Sequence, residues 1–397
     1  MADREIPSTD TIGGENVAGG TVGVQVHAPF WWALMPAGAV AAGVGSVLAA
    51  AYSRDTVAGL CMLAAALFIV FFARERMTLF ALVVPACIIA FMSGSFALPA
   101  PVLGCVAAIG IGAFLFRINR AAFLLAAAAS AAIGFAFGGA PGILWGVAFI
   151  PAEIVLSMAY PRTTVGEAVG VTALTAALSA VVFGVLFVIA SPNISTDGLA
   201  GVADIGRLLL DRIADYTAAA YAEAGVEVGA GAVRQYALSL VRMLPGVAAA
   251  VAEIAAFLAV AVCGAIFRTL DIEPHAFTEA PSRYLLSPIC GVVYFAAIIV
   301  YLSLTGGDGS VGGGTAAAIC ENIILMLALP LTVFSVSWLR RVSLRGGWRF
   351  VAPLIIIAPI ISVMASGFGG LSLFAAFGCI LCIILPIAEV LASRRKQ

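Results

Sequence analysis

Two glutamates stand in stretches of this chain that otherwise hold almost nothing polar. Glu153 lies in FIPAEIVLSM, residues 149–158, two positions after the helix-weakening Pro151, and Glu253 lies in AAAVAEIAAFLAV. A third polar spot is Glu321 with Asn322, in ICENIILML. A charged group at bilayer depth costs ~2.5–3.5 kcal/mol on insertion scales, so it is turned inward, paired or protonated. Two readings follow for Glu153 and Glu253. Either each stays protonated and hydrogen-bonds a neighbouring helix, or they face a polar cavity at mid-depth and bind a cation, a proton or the amino group of a solute. No Lys, Arg or His lies deep enough to neutralise them, which leans toward a proton or a positive charge from outside the chain. Glu321 and Asn322, in the outer third of their span, join the same set of candidate substrate- or ion-binding residues. Glu167 and Glu389 fall near span ends, where a solvated or Arg-paired role accounts for them.

Other chemistry finds few carriers. The two histidines, His27 and His275, have no partners in sequence, and no phosphate-binding loop, zinc-protease helix or G-x-S-x-G elbow occurs. No catalytic residue, metal site or cofactor is therefore expected, and an enzyme is disfavoured. The eight cysteines all fall within or at the ends of apolar stretches and read as small apolar fillers. Cys379 and Cys382 form a C-x-x-C pair without a second pair or a nearby His. GGDGSVGGG, residues 306–314, lacks a following Lys and reads as a flexible turn.

Hydrophobic residues make up 63% of the 397 residues and charged residues 10%, against about 25% charged in a soluble domain. A soluble fold has no means of covering so much apolar surface, whereas a bilayer lets helices expose it. The expected fold is all-α, a polytopic bundle of transmembrane helices. The net charge of −1 suggests no nucleic-acid partner.

Apolar stretches of crossing length, about 20 residues each, run over 31–51, 56–73, 78–98, 99–116, 121–139, 143–160, 165–190, 243–267, 285–305, 315–338, 350–366 and 370–392, or about 12 spans. Basic residues alternate between loops. Arg74 and Arg76, Arg117 and Arg120, Arg162, Arg268 and Arg283, Arg340, Arg341, Arg345 and Arg349, and the terminal Arg394, Arg395 and Lys396 share one side, which the positive-inside rule makes cytoplasmic. Among the opposite short loops only Arg54 dissents, so both termini are expected inside. The layout is a polar tail over 1–28, a first bundle over 29–191, an outer loop over 192–242, a second bundle over 243–393 and a basic tail over 394–397. In the outer loop Val202, Ile205, Leu209, Ile213 and Tyr216, then Val233, Tyr236, Leu240 and Leu244, recur at helical spacing. They predict two amphipathic helices that lie on the membrane or cap the bundle, or else form a lid over an outward-facing pocket.

Small residues form rows. Ala33, Ala37, Ala41, Gly45 and Ala49 repeat every four residues in the first span, and Gly134, Gly138, Gly142 and Gly146 continue such a spacing across Pro141. Such rows let helices approach closely, either within the chain or against a partner subunit.

The order of features resembles the YybS-like bacterial membrane proteins of unknown function. The likeness rests on RMLPG (Arg242 to Gly246) opening a span after a long amphipathic outer loop, on Asn322 early in a later span, and on the acid Glu389 before the terminal basic cluster. It covers most of residues 30–395, while the polar tail and the Gly-rich turn at 306 are departures. That family is distantly similar to the substrate-binding subunits of energy-coupling-factor transporters, where a small-residue row on the first helix docks a partner subunit. The resemblance implies a bacterial plasma-membrane protein that binds a small solute, with the row from Ala33 to Ala49 as a docking face for a membrane partner. The expectation is an ion-coupled or small-molecule transport component using Glu153, Glu253, Glu321 and Asn322. The alternative is a non-transporting scaffold or accessory subunit acting through protein partners.

Overall fold

A computed structural model describes residues 30–72, 99–160, 163–190, 229–269, 286–305, 315–347 and 370–394, with short pieces between them. Every long element among the described residues is a helix, and no strand occurs there. The order is α1 (Phe30–Ala51), α2 (Asp55–Phe72), α3 (Pro99–Ile118), α4 (Arg120–Val147), α5 (Ile150–Ala159), α6 (Val165–Ala190), α7 (Ala230–Thr269), α8 (Pro288–Thr305), α9 (Thr315–Arg345) and α10 (Ser372–Arg394). Seven helical stretches are long and apolar enough to cross a membrane, and Asp55–Phe71 and Ser372–Ile387 are shorter apolar helices. Side chains such as Leu124 (67% exposed), Val181 (64%) and Leu373 (79%) face outward, an arrangement suited to hydrocarbon and not to water. The chain is, by these helices, a multi-pass membrane protein. The tail 1–28, most of the stretches 78–98 and 350–366, the turn 306–314, most of 191–228 and the end 395–397 lie outside the described residues.

Helix α3 is the axis of the N-terminal half. Its residues from Val106 to Leu115 are all buried, as an all-apolar helix surrounded by others requires. It crosses α1 at small residues. A Cβ on Gly43 would press on the Gly104 carbonyl oxygen at 2.7 Å and on the Ala108 nitrogen at 3.0 Å, while the Ser46 hydroxyl donates to the Gly43 carbonyl at 2.8 Å and to the Ala100 carbonyl at 3.1 Å. Backbone-to-backbone approach of this kind is what small residues permit.

The stretch Arg120–Ala159 is 40 residues of helix by composition, yet it turns back on itself. Gly139 holds φ 64° and ψ −153°, a left-handed conformation that glycine adopts at little cost. The two arms then touch: a Cβ on Gly134 would meet the backbone of Gly142 and Gly146, and one on Gly146 would meet the backbone of Ser130. Gly134, Gly142 and Gly146 thus meet across a hairpin, which explains how a row interrupted by Pro141 can still act in packing. The turn lies at the same end as Arg54, whose guanidinium sits 5.3 Å from the Phe137 ring centroid, a cation–π contact for the one basic residue on that side of the short loops.

Aromatic contacts fix relative directions. The Phe267 ring lies 5.5 Å from that of Phe114 and 5.0 Å from that of Tyr160, so α3, α5 and α7 end together. Helix α7 departs from the expected layout. It begins at Ala230, so the second amphipathic pattern of the outer loop runs without a break into the span. At 1.5 Å per residue its 40 residues extend about 60 Å, twice the hydrocarbon thickness. Its buried face there is Val233 and Ala237, while Tyr236 is 49% exposed. Of the first amphipathic pattern, Val202, Ile205, Leu209, Ile213 and Tyr216 lie outside the described residues.

Helices α8, α9 and α10 form a second cluster around Tyr294, Leu331, Phe334, Ala375 and Cys379. The C-x-x-C pair belongs to it. The Cys379 thiol donates to the Gly291 carbonyl at 3.2 Å and the Cys382 thiol to the Ser287 carbonyl at 3.2 Å, tying α10 to α8. The contact between α7 and α9 joins the two halves.

Candidate functional site

Glu153 owes its position to a helix that stops and restarts. Pro151 has no N–H and cannot donate to the carbonyl of Val147, its partner one helical turn earlier. The chain responds with a turn at Ala148 and Phe149, where the Ala148 N–H reaches the Trp145 carbonyl at 3.4 Å in a three-residue step. Helix α5 then starts afresh with Pro151 in its first turn, where the missing donor costs nothing, and with Glu153 as that turn's acid. The motif is thus a helix start placed inside a span. Glu153 is 3% exposed. Its carboxyl packs against α3 where there is no side chain: a Cβ on Gly112 would overlap the Glu153 carboxyl carbon, so glycine there makes the space the acid occupies. Helices α3 and α6 pack on α5, and their charged residues stand away from this level. Arg117 is exposed in the last turn of α3. Glu167 closes a capping box at the start of α6, accepting from the Thr164 N–H at 3.1 Å while its own N–H bonds the Thr164 hydroxyl at 3.3 Å.

Hydroxyls in these helices mostly bond their own backbone one turn back, as Thr175 does to Val171 at 2.7 Å, Ser303 to Ile299 at 2.8 Å and Thr332 to Ala328 at 2.7 Å. Thr172 does not. Its residue is 0% exposed, and its Oγ1 is buried with no hydrogen-bond partner. Ser130 Oγ, on the first arm of the hairpin, is in the same condition.

Glu253 occupies a different level. Gly110 of α3 faces Ala259 and Val262 of α7, which puts Glu253 roughly eight to eleven residues, or ~12–16 Å, from the Gly112 level along parallel helices. Its Oε2 is buried without a partner. The candidate acids Glu153 and Glu253 therefore stand at separate levels of the bundle. Beside Glu253 a cavity of about 340 Å³ lies between α2, α3, α7 and α9, lined by apolar residues including Val102, Val106, Ile254, Leu258 and Leu329. Glu253 is not among its lining residues.

Asn322 has the most completely defined geometry of the candidates. Its Oδ1 accepts from the Gly246 N–H at 2.6 Å, and its Nδ2 donates to the Arg242 carbonyl at 2.7 Å and to the Ala318 carbonyl at 2.8 Å. Gly246 N–H and Arg242 C=O are the donor and acceptor of one helical rung, so the amide of α9 holds both polar groups of that rung in α7. The neighbouring rung is already weakened, because Pro245 leaves the Val241 carbonyl without its helix donor. A Cβ on Gly246 would meet Asn322 Oδ1 at 2.9 Å and Asn322 Cα at 3.0 Å. RMLPG and Asn322, 76 positions apart at their bond, are one structural unit. Glu253 lies two turns further along α7 from Gly246, seven residues on and so on the same face. Glu321, its neighbour in the chain, is partly exposed.

The small-residue row of α1 is placed inside the chain. Ala37 is 4% exposed and Ala49 0%, Ala41 is half-buried, and a Cβ on Gly45 would lie 3.2 Å from Cys61 Sγ of α2 and 4.0 Å from Ile133 of α4. Ala33 is helical, with its side chain outside the described residues. The tightest contact of α1 uses Gly43 and Ser46 instead, which flank Gly45 off the row.

No protein-family model matches the chain, and neither a curated protein nor a solved structure does. The residues that reading the sequence missed, Thr172, Ser130 and Gly112, carry no signal there: a hydroxyl in a span satisfies itself by default, and only the fold separates those that do not.

Proposed function

We propose that the chain is an ion-coupled transport component of the bacterial plasma membrane in which Glu153 takes up and releases a proton or a small cation, coupled to movement of a small solute. The observation that carries this reading is an enclosed carboxyl at a helix restart inside a span, with no cationic side chain at its level on the helices packed against it. Irregular backbone at membrane depth is tolerated where it is buried in protein or lines a cavity, and interrupted spans are a recurrent way of building ion and substrate sites in transporters. Glu253, with its unpartnered oxygen, would serve a second position on the α7–α9 face that Asn322 holds in register.

The proposal includes twelve spans with both termini inside. Several features support that count: the seven long apolar stretches, one of them doubled by its turn at Gly139, the two shorter apolar helices, and the apolar sequences 78–98 and 350–366. Orientation is supported by the common end of α3 and α7, which brings Arg117 and Arg268 to one side. Membership in the YybS-like family is likewise part of the proposal, supported by the meeting of RMLPG and Asn322. A pure scaffold would leave Glu153 inert.

Carbodiimides attack protonated, membrane-embedded carboxyls, and this tests the reading. Protein reconstituted in liposomes is treated with dicyclohexylcarbodiimide over a pH series and the modified peptides are quantified by mass spectrometry. Glu153 should be modified at low pH, with the yield falling as pH rises and the carboxyl ionises. Glu153→Gln should abolish that peptide and leave the Glu253 peptide as in the wild type. A Glu153 peptide left unmodified at every pH, in protein that is folded, overturns the proposal.

A further inference from the structure

We infer that Thr172 is a ligand, with Glu153, in a buried site for one small oxygen-coordinated monocation, Na⁺ or hydronium. This rests on the reading of Glu153 given above and adds the second ligand and the class of ion. Helices α5 and α6 form an antiparallel pair joined by a turn in which the Thr163 N–H reaches the Ala159 carbonyl and the Ala168 N–H reaches the Thr164 carbonyl. Glu153 stands six residues before Ala159, the end of α5, and Thr172 seven residues after Val165, the start of α6, so at ~1.5 Å per residue both lie about 10 Å from the connection and share one level. Both residues are enclosed, Glu153 3% exposed and Thr172 0%.

Thr172 has an ordinary alternative that it does not take. The Ala168 carbonyl stands one turn back, where Thr175 and Thr332 find theirs, yet Thr172 Oγ1 is buried without a hydrogen bond. A buried, unsatisfied hydroxyl is unfavourable by about 1–3 kcal/mol, and a bound ion or its water removes that penalty. The ion-side chemistry agrees. A carboxylate and a hydroxyl supply hard oxygen ligands of total charge −1, matching a single positive charge. Gly112 keeps α3 from filling the space beside the Glu153 carboxyl.

Among the described residues, the titratable groups on the helices around this site are Cys105 and Arg117 of α3, Glu167 of α6, Tyr160 at the end of α5, and Glu253 and the buried Cys263 of α7, one turn from the Phe267 that stacks on Tyr160. Cys105 is seven residues from Gly112, Arg117 is exposed, Glu167 is bonded to Thr164, and Tyr160 is stacked on Phe267.

The test uses the full chain in liposomes and reads carbodiimide modification of Glu153 in two series, NaCl against choline chloride at fixed pH, and pH without Na⁺. Thr172→Val and Thr172→Ser are compared with wild type after each elutes as a single folded species. If the ion is Na⁺, NaCl protects the wild type and Thr172→Val needs roughly tenfold more of it. If the ion is hydronium, Na⁺ has no effect and Thr172→Val displaces the pH midpoint of modification by about one unit. In both cases Thr172→Ser, which keeps the hydroxyl, behaves as wild type. Thr172→Val profiles that superimpose on wild type in both series overturn this inference while leaving Glu153 as an exchanging group. An unmodified Glu153 in wild type strikes at the earlier reading instead.

Discussion

Gly142→Leu is expected to prevent the hairpin of α4 from closing, and with it the folding of the N-terminal half. The Cβ alone would run into the carbonyl oxygen and carbon of Gly134, which are backbone atoms that no rotamer change can move. Overpacking a well-filled core against side chains costs about 1–3 kcal/mol. Here the obstacle is the opposing arm itself, so the expected loss is above ~3 kcal/mol. Separating the arms would also cost their packing against α1, α3 and α6. Protein extracted in mild detergent should elute as aggregate, with little of the wild-type peak on size exclusion. Gly139→Ala provides the milder comparison. Nothing lies within 4 Å of its Cβ, so only the positive-φ backbone is strained, and a loss of about 1–3 kcal/mol with the folded peak retained is expected. Equal behaviour of the two variants would contradict the close approach of the arms.

The second large effect is expected at the junction of α7 and α9. Gly246→Leu places side-chain atoms where Asn322 Cα, carbonyl oxygen and Oδ1 stand within 3.0 Å of a Cβ, forcing the helices apart and breaking the bonds between the Asn322 amide and the Arg242–Gly246 rung. A loss of ~3 kcal/mol is expected. Asn322→Ala removes the amide while leaving the backbone free to re-form its own rung, so the loss should be smaller, ~1–2 kcal/mol. Thermal unfolding in detergent should rank wild type above Asn322→Ala and that above Gly246→Leu. In the Asn322→Ala/Gly246→Leu pair the two losses should fail to add, because the same contact is lost twice. Strict additivity would show that the two residues do not act as a unit.

Much of the architecture is legible in the sequence because a bilayer imposes it. Apolar length sets where helices run, and most of the helices from Phe30–Ala51 to Ser372–Arg394 fall where apolar stretches of crossing length predict them, whereas α4 runs on to Val147 and α7 already begins at Ala230. The faces of those helices are a different matter. In water a helix declares its buried side by a stripe of apolar residues, but one that meets lipid on one side and protein on the other is apolar all round, as α6 is. The row from Ala33 to Ala49 is a regular pattern, yet the closest crossing of α1 is at Gly43 and Ser46. Pro141 signals an interruption in the glycine row but not that the interruption is a reversal, which depends on the left-handed Gly139 beside it.

The candidate site is legible in part for the same reason. A carboxylate inside an apolar stretch stands out by its cost, so Glu153, Glu253 and Asn322 are visible at once. Their relation is not, since depth within a span is uncertain by a few residues and each residue is 1.5 Å. Glu153 and Glu253 fall on separate levels, while Asn322 meets RMLPG from 76 positions away. Thr172 and Gly112 are invisible beforehand because their roles are an omitted hydrogen bond and an omitted side chain.

The most direct test of the central claim, that Glu153 is an exchanging acid and not an inert buried one, is infrared difference spectroscopy on reconstituted protein. The carbonyl stretch of a protonated carboxyl is separate from that of a carboxylate, so each protonation change is seen in place. Raising the pH, or adding Na⁺ at fixed pH, should remove a carboxylic-acid band from the wild type, and that change should be missing from Glu153→Gln. A wild-type difference spectrum identical to that of Glu153→Gln under both changes would contradict the account.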